Sequence, residues 1–217
     1  MARTLLLDLD GTLVDTVPDL AAALNRLMQS RGLPAFTHQA VAGMVGDGVA
    51  VLIRRAFAAH QREPDERAAS EFATDYLDHV AVGSRPYPGV RSALSALAQD
   101  GWHLAVCTNK PEPAARALLQ AVGLSDLICA IGGGDSFPVR KPDPAHLLGT
   151  LSLAGGQRDR AVMLGDHHND VVSAAGAGIP SIFAAWGYGA ASMAEGSAAT
   201  AADIAEAARI AGELLPG

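Results

Sequence analysis

Asp8 and Asp10 stand two residues apart, after the apolar run Leu5-Leu6-Leu7 and before Gly11. Such a run bounded by a glycine turn reads as a buried strand. In an extended chain a spacing of two puts both carboxylates on the same side. Two like charges that close are tolerated when a cation lies between them or when one carboxyl keeps its proton. The pair therefore suits a metal-assisted site with one carboxylate nucleophile and one carboxylic acid. Asp-x-Asp-Gly alone fits a strand ending in a solvated acidic turn equally well, so the rest of the chain must decide.

Three further polar clusters follow apolar runs. Thr108-Asn109-Lys110 comes after Val106-Cys107, just before a helix beginning near Pro111. A threonine hydroxyl and free backbone N–H groups at such a point can hold phosphate oxygens; a simple helix cap is the alternative. Arg140-Lys141-Pro142-Asp143 precedes another helix. Only two lysines, Lys110 and Lys141, occur against fourteen arginines, which singles out Lys141. A compact ammonium there can neutralise both a carboxylate nucleophile and a phosphate. A solvated loop cation is the other reading, and it stays open for Lys110. Gly165-Asp166-His167-His168-Asn169-Asp170 closes the series, with two carboxylates flanking a strand-to-helix turn. Hard oxygen ligands with room for water suit Mg²⁺. The His167-His168 pair is a poor zinc site, because adjacent helical residues point about 100° apart; His167 is placed at the edge of the site.

The elements that would position these clusters can be read from periodicity. Apolar spacing and Pro18 predict a helix over 17–29, and Thr37 predicts a cap for a short helix up to 45. Two more helices are predicted over 49–59 and 64–82, so 17–82 reads as all-helical. Residues 83–89, with two glycines and two prolines among them, read as a linker. Beyond it, predicted helices (90–98, 112–122, 145–153, 171–176, 201–214) alternate with predicted strands (103–107, 127–131, 161–164, 181–184). That alternation implies a parallel sheet with helices on both faces. The first strand belongs to the same sheet. The helical block is then an insertion after strand one, placed over the C-terminal strand ends where open α/β sheets bind ligands.

Composition bounds the remaining classes. A chain of 217 residues holds one sizeable domain or a core with a smaller partner, and 49% hydrophobic residues suffice for a buried core. A formal charge of −7 argues against general nucleic-acid binding. Cys107 and Cys129 fall in apolar runs and are expected to be buried core residues. No basic-then-apolar leader is seen at the start, and no stretch reaches membrane-spanning length, so a cytoplasmic protein is expected. Gly176-Ala177-Gly178 follows a helix and Gly132-Gly133-Gly134 lacks the following Lys-Ser/Thr, which removes both as nucleotide-binding loops.

The four clusters, in this order, resemble the motifs of the haloacid dehalogenase-like (HAD) superfamily of phosphohydrolases, and the match runs over essentially the whole chain. The resemblance implies an α/β fold: a Rossmann-like doubly wound parallel-sheet core, residues 1–16 plus 84–217, with an inserted all-helical cap domain, residues 17–83. It implies Asp8 as the nucleophile that forms an aspartyl-phosphate, and Asp10 as the acid and base for the leaving alcohol and the water. Mg²⁺ would be held by Asp8, the Asp10 carbonyl and Asp166. Thr108, Lys141 and the N–H groups of Gly11 and Asn109 would bind the phosphoryl group, with Asp170 supporting Lys141 or a metal-bound water. His167 departs from the Ser or Thr often found after the equivalent of Asp166.

Within the superfamily the chain is most similar to phosphoglycolate phosphatases, through Val45-Gly46-Asp47-Gly48 with Leu52 and Arg55, Cys107 to Pro111, Gly133 to Ser136, Lys141 to Pro144, and Trp186 to Gly189. This implies a small phosphorylated metabolite such as 2-phosphoglycolate as substrate. Gly46, Asp47, Gly48 and Arg54 or Arg55 are the candidate specificity residues of the cap. Asp47 would repel a substrate carboxylate unless it turned away or paired with Arg54 or Arg55. A phosphosugar or amino-sugar phosphatase and a sugar-phosphate mutase are the rival readings, since the core motifs serve all three. A phosphonate hydrolase needs a cap lysine, and the helical block has none. A dehalogenase does not need the acid at Asp10. Monomer and homodimer both stay open.

Overall fold

In the computed structural model, which describes residues 2–216, β1 (Thr4–Leu7) is the central strand of a six-stranded sheet. The chain runs on through β2 (Val14–Asp15), α1 (Val17–Ser30), α2 (His38–Ala42), α3 (Val49–Ala59), α4 (Ala68–Asp78), β3 (Arg85–Pro86) and α5 (Val90–Gln99). Then come β4 (His103–Cys107), α6 (Glu112–Ala121), β5 (Ala130–Gly132), α7 (Pro144–Leu153), β6 (Ala161–Gly165), α8 (His168–Ala177), β7 (Ser181–Ala184), β8 (Ala199–Ala201) and α9 (Ile204–Leu214). The sheet order is β5-β4-β1-β6-β7-β8, and every pairing is parallel. The chain first builds outward from β1 through β4 to β5, then returns to the other side for β6 to β8. The switch point therefore lies at the C-terminal end of β1, between β4 and β6, where doubly wound sheets open a ligand crevice.

Alternation along β1 assigns its leucines to opposite layers. Leu5 and Leu7 pack with α5, α6 and α9 through Val90, Leu118 and Ile204. Leu6 packs on the other face with Leu147 and Leu151 of α7 and Ala174 and Ala177 of α8. Burial on both faces explains the unbroken apolar run: each fully buried leucine contributes about 1.5–3 kcal/mol.

The inserted helices α1 to α4 form an apolar cluster of their own around Leu24, Met28, Ile53, Phe57 and Phe72. Thr37 caps α2 as expected, its side chain accepting from Ala40 N–H. The predicted helix over 64–82 is shorter at both ends. Asp65 accepts the Arg67 N–H in a turn, and Ala81 takes a left-handed φ of 63°, a conformation that ends a helix. The two chain crossings into and out of the block are tied together. Val14–Asp15 pairs with Arg85–Pro86 inside the predicted linker, and the buried Asp19 carboxylate accepts from Gly83 N–H, Ser84 N–H and the Ser84 hydroxyl at 2.6–2.8 Å.

Cys107 is buried, and burial pushes its thiol up to about 12, which leaves it unreactive. Cys129, expected in the core, is instead exposed, because β5 starts one residue later. No helix among the described residues is long and apolar enough to cross a membrane.

Candidate active site

All four clusters meet at the C-terminal edge of the sheet. Asp8 continues the ladder of β1, its N–H donating to the Leu164 carbonyl at 2.9 Å. Lys141, from the loop before α7, reaches in with its Nζ 2.9 Å from Asp8 Oδ1 and 2.6 Å from Asp170 Oδ1. It also donates to the Cys107 carbonyl at 2.6 Å. Burial works against the Lys141 charge, but Asp170 and Asp8 outweigh it and raise its pKa. Lys141 is therefore a fixed buried cation rather than a loop cation.

Asp166 is held rigidly. The Thr12 hydroxyl donates to its Oδ1 (2.9 Å) and the Tyr188 N–H to its Oδ2 (2.8 Å). Gly11, at φ +83°, packs so closely on this carboxylate that a Cβ would overlap it. Gly11's N–H is already donated to the Val14 carbonyl at 2.9 Å. Its place in the site thus comes from the close approach, not from a free N–H as expected. Asp170 is fixed by Lys141 and by the His167 N–H at 3.0 Å. His167 in turn accepts the Asn169 N–H through Nδ1, completing a capping box that starts α8 three residues earlier than predicted.

The oxygens of Asp8, Asp166 and Asp170 lie within 4.8 Å of one another. Burial, then the neighbouring Asp8 and Asp170 charges, push the Asp166 carboxyl well above the usual range. Burial, with Lys141 opposing and Asp8 adding to it, pushes Asp170 up as well. Asp8 Oδ1 is a buried oxygen in ion-pair contact only, with no hydrogen-bond donor. Counting Asp10 with its partner Lys110, four carboxyl groups face two ammonium groups, so full ionisation would leave two negative charges uncompensated. A divalent, oxygen-seeking cation fits that deficit.

The deficit has a measurable consequence. A carboxyl whose pKa is raised on folding makes the folded state bind more protons than the unfolded one. Stability therefore falls as pH rises from the unfolded value toward the folded one. In EDTA, Asp166→Asn is expected to be more stable than the unmodified chain at pH 7.5, by about 2–4 °C in Tm for each kcal/mol of repulsion removed. That advantage should shrink at pH 5.5. Calorimetric melts of both proteins at the two pH values provide the check; an advantage that does not depend on pH would contradict the strained carboxylate.

The expected phosphate-binding residues converge only in part on open space. Thr108 is buried, its Oγ1 accepting the Lys110 N–H at 3.3 Å and its own N–H donating to Gly132. Asn109 donates its side-chain amide to the Gly46 carbonyl (2.9 Å) and the Lys141 carbonyl (3.0 Å). Both residues line a cavity of about 280 Å³ with Asp8 and Asp10, whose opposite wall is formed by the inserted helices.

The cap loop is fastened to the sheet edge. Gly46 accepts from both Asn109 and Asn169, and Asn169 also donates to Asp47 at 2.7 Å. Gly46 has φ +118° and lies against the His167 ring, where a Cβ would clash. Asp47 pairs with Arg55 at 2.6 Å, which settles how its charge is accommodated. Burial would raise the Asp47 carboxyl, but Asn169 and Arg55 prevail and lower it. Arg55 also donates to the Met44 carbonyl (3.0 Å), and Arg54 is exposed; neither arginine lines the cavity.

Two functional neighbours went unassigned in the sequence. Lys110, left open as a solvated cation, is buried and pairs with Asp10 at 3.0 Å. Its apolar neighbourhood, with Val106-Cys107 before it and a proline after it, was the available signal. The Tyr188 hydroxyl takes the place of a side-chain cap on α1, meeting Thr16 N–H at 2.6 Å and Val17 N–H at 3.1 Å, while bonded to Asp15 at 2.7 Å.

Comparison with known proteins agrees with this architecture. The family model for haloacid dehalogenase-like hydrolases matches residues 2–178. The chain is 45% identical over 185 residues to a phosphoglycolate phosphatase of Agrobacterium fabrum, covering 83% of this chain and 79% of that protein. It is 44% identical over 193 residues to the phosphoglycolate phosphatase of Mesorhizobium japonicum, covering 87% and 85%. A crystal structure described as a predicted phosphoglycolate phosphatase from Haemophilus somnus superposes with a TM-score of 0.89 at 30% identity, covering 96% of this chain and 97% of that one. The chain belongs to the haloacid dehalogenase-like hydrolase family and is a phosphatase of the phosphoglycolate-phosphatase-like kind.

Proposed function

We propose that the chain is a Mg²⁺-dependent phosphomonoester hydrolase that works through an aspartyl-phosphate on Asp8, with a small acid phosphate, 2-phosphoglycolate, as its substrate. The observation that carries this reading is the buried group of four carboxyl groups and two lysines at the switch point, two positive charges short when all four are ionised. Phosphoryl transfer needs charge neutralisation and in-line positioning above all.

In this mechanism an Asp8 oxygen attacks phosphorus as the bond from phosphorus to the alcohol oxygen breaks, and Asp10 delivers a proton to that oxygen. Water then attacks the phosphoryl group, gives its proton to Asp10, and the bond to Asp8 breaks to release inorganic phosphate. Lys141 holds Asp8 in place and offsets the repulsion between nucleophile and phosphate, while Asp170 fixes Lys141. Thr108 and Asn109 orient the phosphoryl oxygens. Asp8, the Asp10 carbonyl and Asp166 would hold Mg²⁺, whose charge would draw density from the phosphoryl oxygens. We assign residues 1–16 and 84–217 to the catalytic core and 17–83 to a cap that closes over the substrate. Two free thiols and no disulfide suit a cytoplasmic setting.

The relatives' names support 2-phosphoglycolate, and so does the cavity. Its cap side is mostly apolar, built from Leu20, Val45, Val49, Leu52 and Phe72, with Thr74 and Tyr76 as its hydroxyl-bearing residues, few side-chain partners for a ring of sugar hydroxyls. The test is phosphate release by the purified protein with Mg²⁺ across 2-phosphoglycolate, hexose and amino-sugar phosphates, nucleotides and an aryl phosphate. Preference for 2-phosphoglycolate, lost in EDTA, is expected. Aryl phosphate turnover with a hexose phosphate preferred would keep the chemistry and overturn the substrate.

A further inference from the structure

Among the described residues Lys110 is the one cationic side chain lining the cavity under the cap, and the proposed reaction gives it no task. Its ammonium is deeply buried, 3.0 and 3.3 Å from the two Asp10 oxygens. Across the cavity wall, Tyr76 of α4 brings its ring centroid to 4.2 Å from Lys110 Nζ. The Tyr76 hydroxyl is buried, 3% of the residue being exposed; Lys110 is close enough to act on it, yet no hydrogen bond of regular geometry completes it. A buried phenol without a partner costs about 1–3 kcal/mol, so such a group points to a ligand that completes it. The rest of the cap side carries no charged side chain and, besides Tyr76, only the Thr74 hydroxyl, and Arg54 and Arg55 stand outside the cavity.

We propose that Lys110 of the core and Tyr76 of the cap together read an acidic group on the leaving alcohol, one carbon from the oxygen that departs. The inference rests on the phosphatase reading above and adds the residues that select the substrate. The leaving oxygen lies at Asp10, and a carboxylate one carbon further falls beside the cation that Asp10 holds. An ammonium has three donors, so Lys110 can turn from Asp10 to the substrate carboxylate, with the Tyr76 hydroxyl donating a second bond. That shift frees the Asp10 oxygens to meet the leaving oxygen. A substrate without the acid leaves Lys110 on Asp10 and Tyr76 without a partner. Because one reader sits on the core and the other on the cap, the acid is read in full only when the cap is closed. Lys110 also remains a positioning residue for Asp10, and the two roles separate by measurement.

The test compares 2-phosphoglycolate with ethyl phosphate, which has the same ester and chain but no carboxylate. Values of kcat/KM are measured with Mg²⁺ for the unmodified enzyme, Lys110→Met and Tyr76→Phe. Binding of both compounds is measured by calorimetry in an Asp8→Asn background, where turnover does not intervene. The unmodified enzyme is expected to prefer 2-phosphoglycolate. Lys110→Met should cut that preference about 100-fold and Tyr76→Phe about 5-fold, with the same order in binding. Equal losses on both compounds in both variants would make Lys110 a structural partner of Asp10 only and overturn the proposal. Should Lys110→Met not fold, Tyr76→Phe, which keeps the ring, decides alone. If the unmodified enzyme hydrolyses both compounds equally well, the acid substrate itself is wrong. A preference that both variants retain overturns only the assignment of its readers.

Discussion

Asp8→Asn is expected to abolish phosphate release, by about 10⁴-fold or more, while the protein folds as before. The amide is nearly the same shape as the carboxylate but cannot form the bond to phosphorus. The neighbours tolerate the exchange. Lys141 keeps Asp170 at 2.6 Å and the Cys107 carbonyl at 2.6 Å. Asp166 and Asp170 each lose a repelling charge, since Asp8 helps push both carboxyls up. In EDTA the variant should therefore melt at the same temperature as the unmodified chain or above it. Phosphate release on the preferred ester, with melts in EDTA and in Mg²⁺, reads both halves. Activity near the unmodified level would remove Asp8 as nucleophile and the aspartyl-phosphate with it.

The parts of this site that were legible in the sequence are those carried by local pattern. Leu5 to Leu7 had to be a doubly buried strand, and the alternation beyond residue 90 had to be a parallel sheet. Once the strands were placed, Asp8, Thr108, Lys141 and Asp166 were bound to share an edge, because parallel strands end on the same side. What was not legible depended on partners far apart in the chain. Nothing near Lys110 announces Asp10, one hundred residues earlier, or the Tyr76 ring. Asp19 reads as an ordinary acidic residue in the first turn of α1, yet it binds the returning chain at Gly83 and Ser84. β8 has three residues, Ala199-Thr200-Ala201, too short to show a strand period, and its last, Ala201, fits the start of the predicted helix over 201–214 as well as it fits a strand. The start of α8 was placed too late, since His167 is an uncommon capping residue, although Asp170 three residues on was the acidic half of a capping box.

Lys141→Met tests the buried charges from the other side, and here stability and activity should both suffer. Methionine matches the stem of lysine but carries no charge, so Asp8 and Asp170 are left buried without a cation. Breaking a buried pair in this way costs about 3–5 kcal/mol, a large share of the roughly 5–15 kcal/mol that holds a domain together. For a chain of this length that is a fall in Tm of about 6–20 °C. The loss has a sign that identifies its origin. Lowering the pH protonates the stranded carboxyls, so the deficit relative to the unmodified chain should narrow between pH 7.5 and 5.5. Adding Asp170→Asn to Lys141→Met removes one stranded charge and keeps an oxygen to accept the His167 N–H, now donated at 3.0 Å. The double variant should recover much of the stability, a coupling expected of side chains in contact. It should recover none of the activity, because Asp8 would still meet an anionic phosphate without its ammonium. Melts and phosphate release for the two single variants and the double variant decide the matter. If the double variant melts no higher than Lys141→Met, stranded charge does not explain the loss; if it regains activity, Lys141 has no part in the transfer.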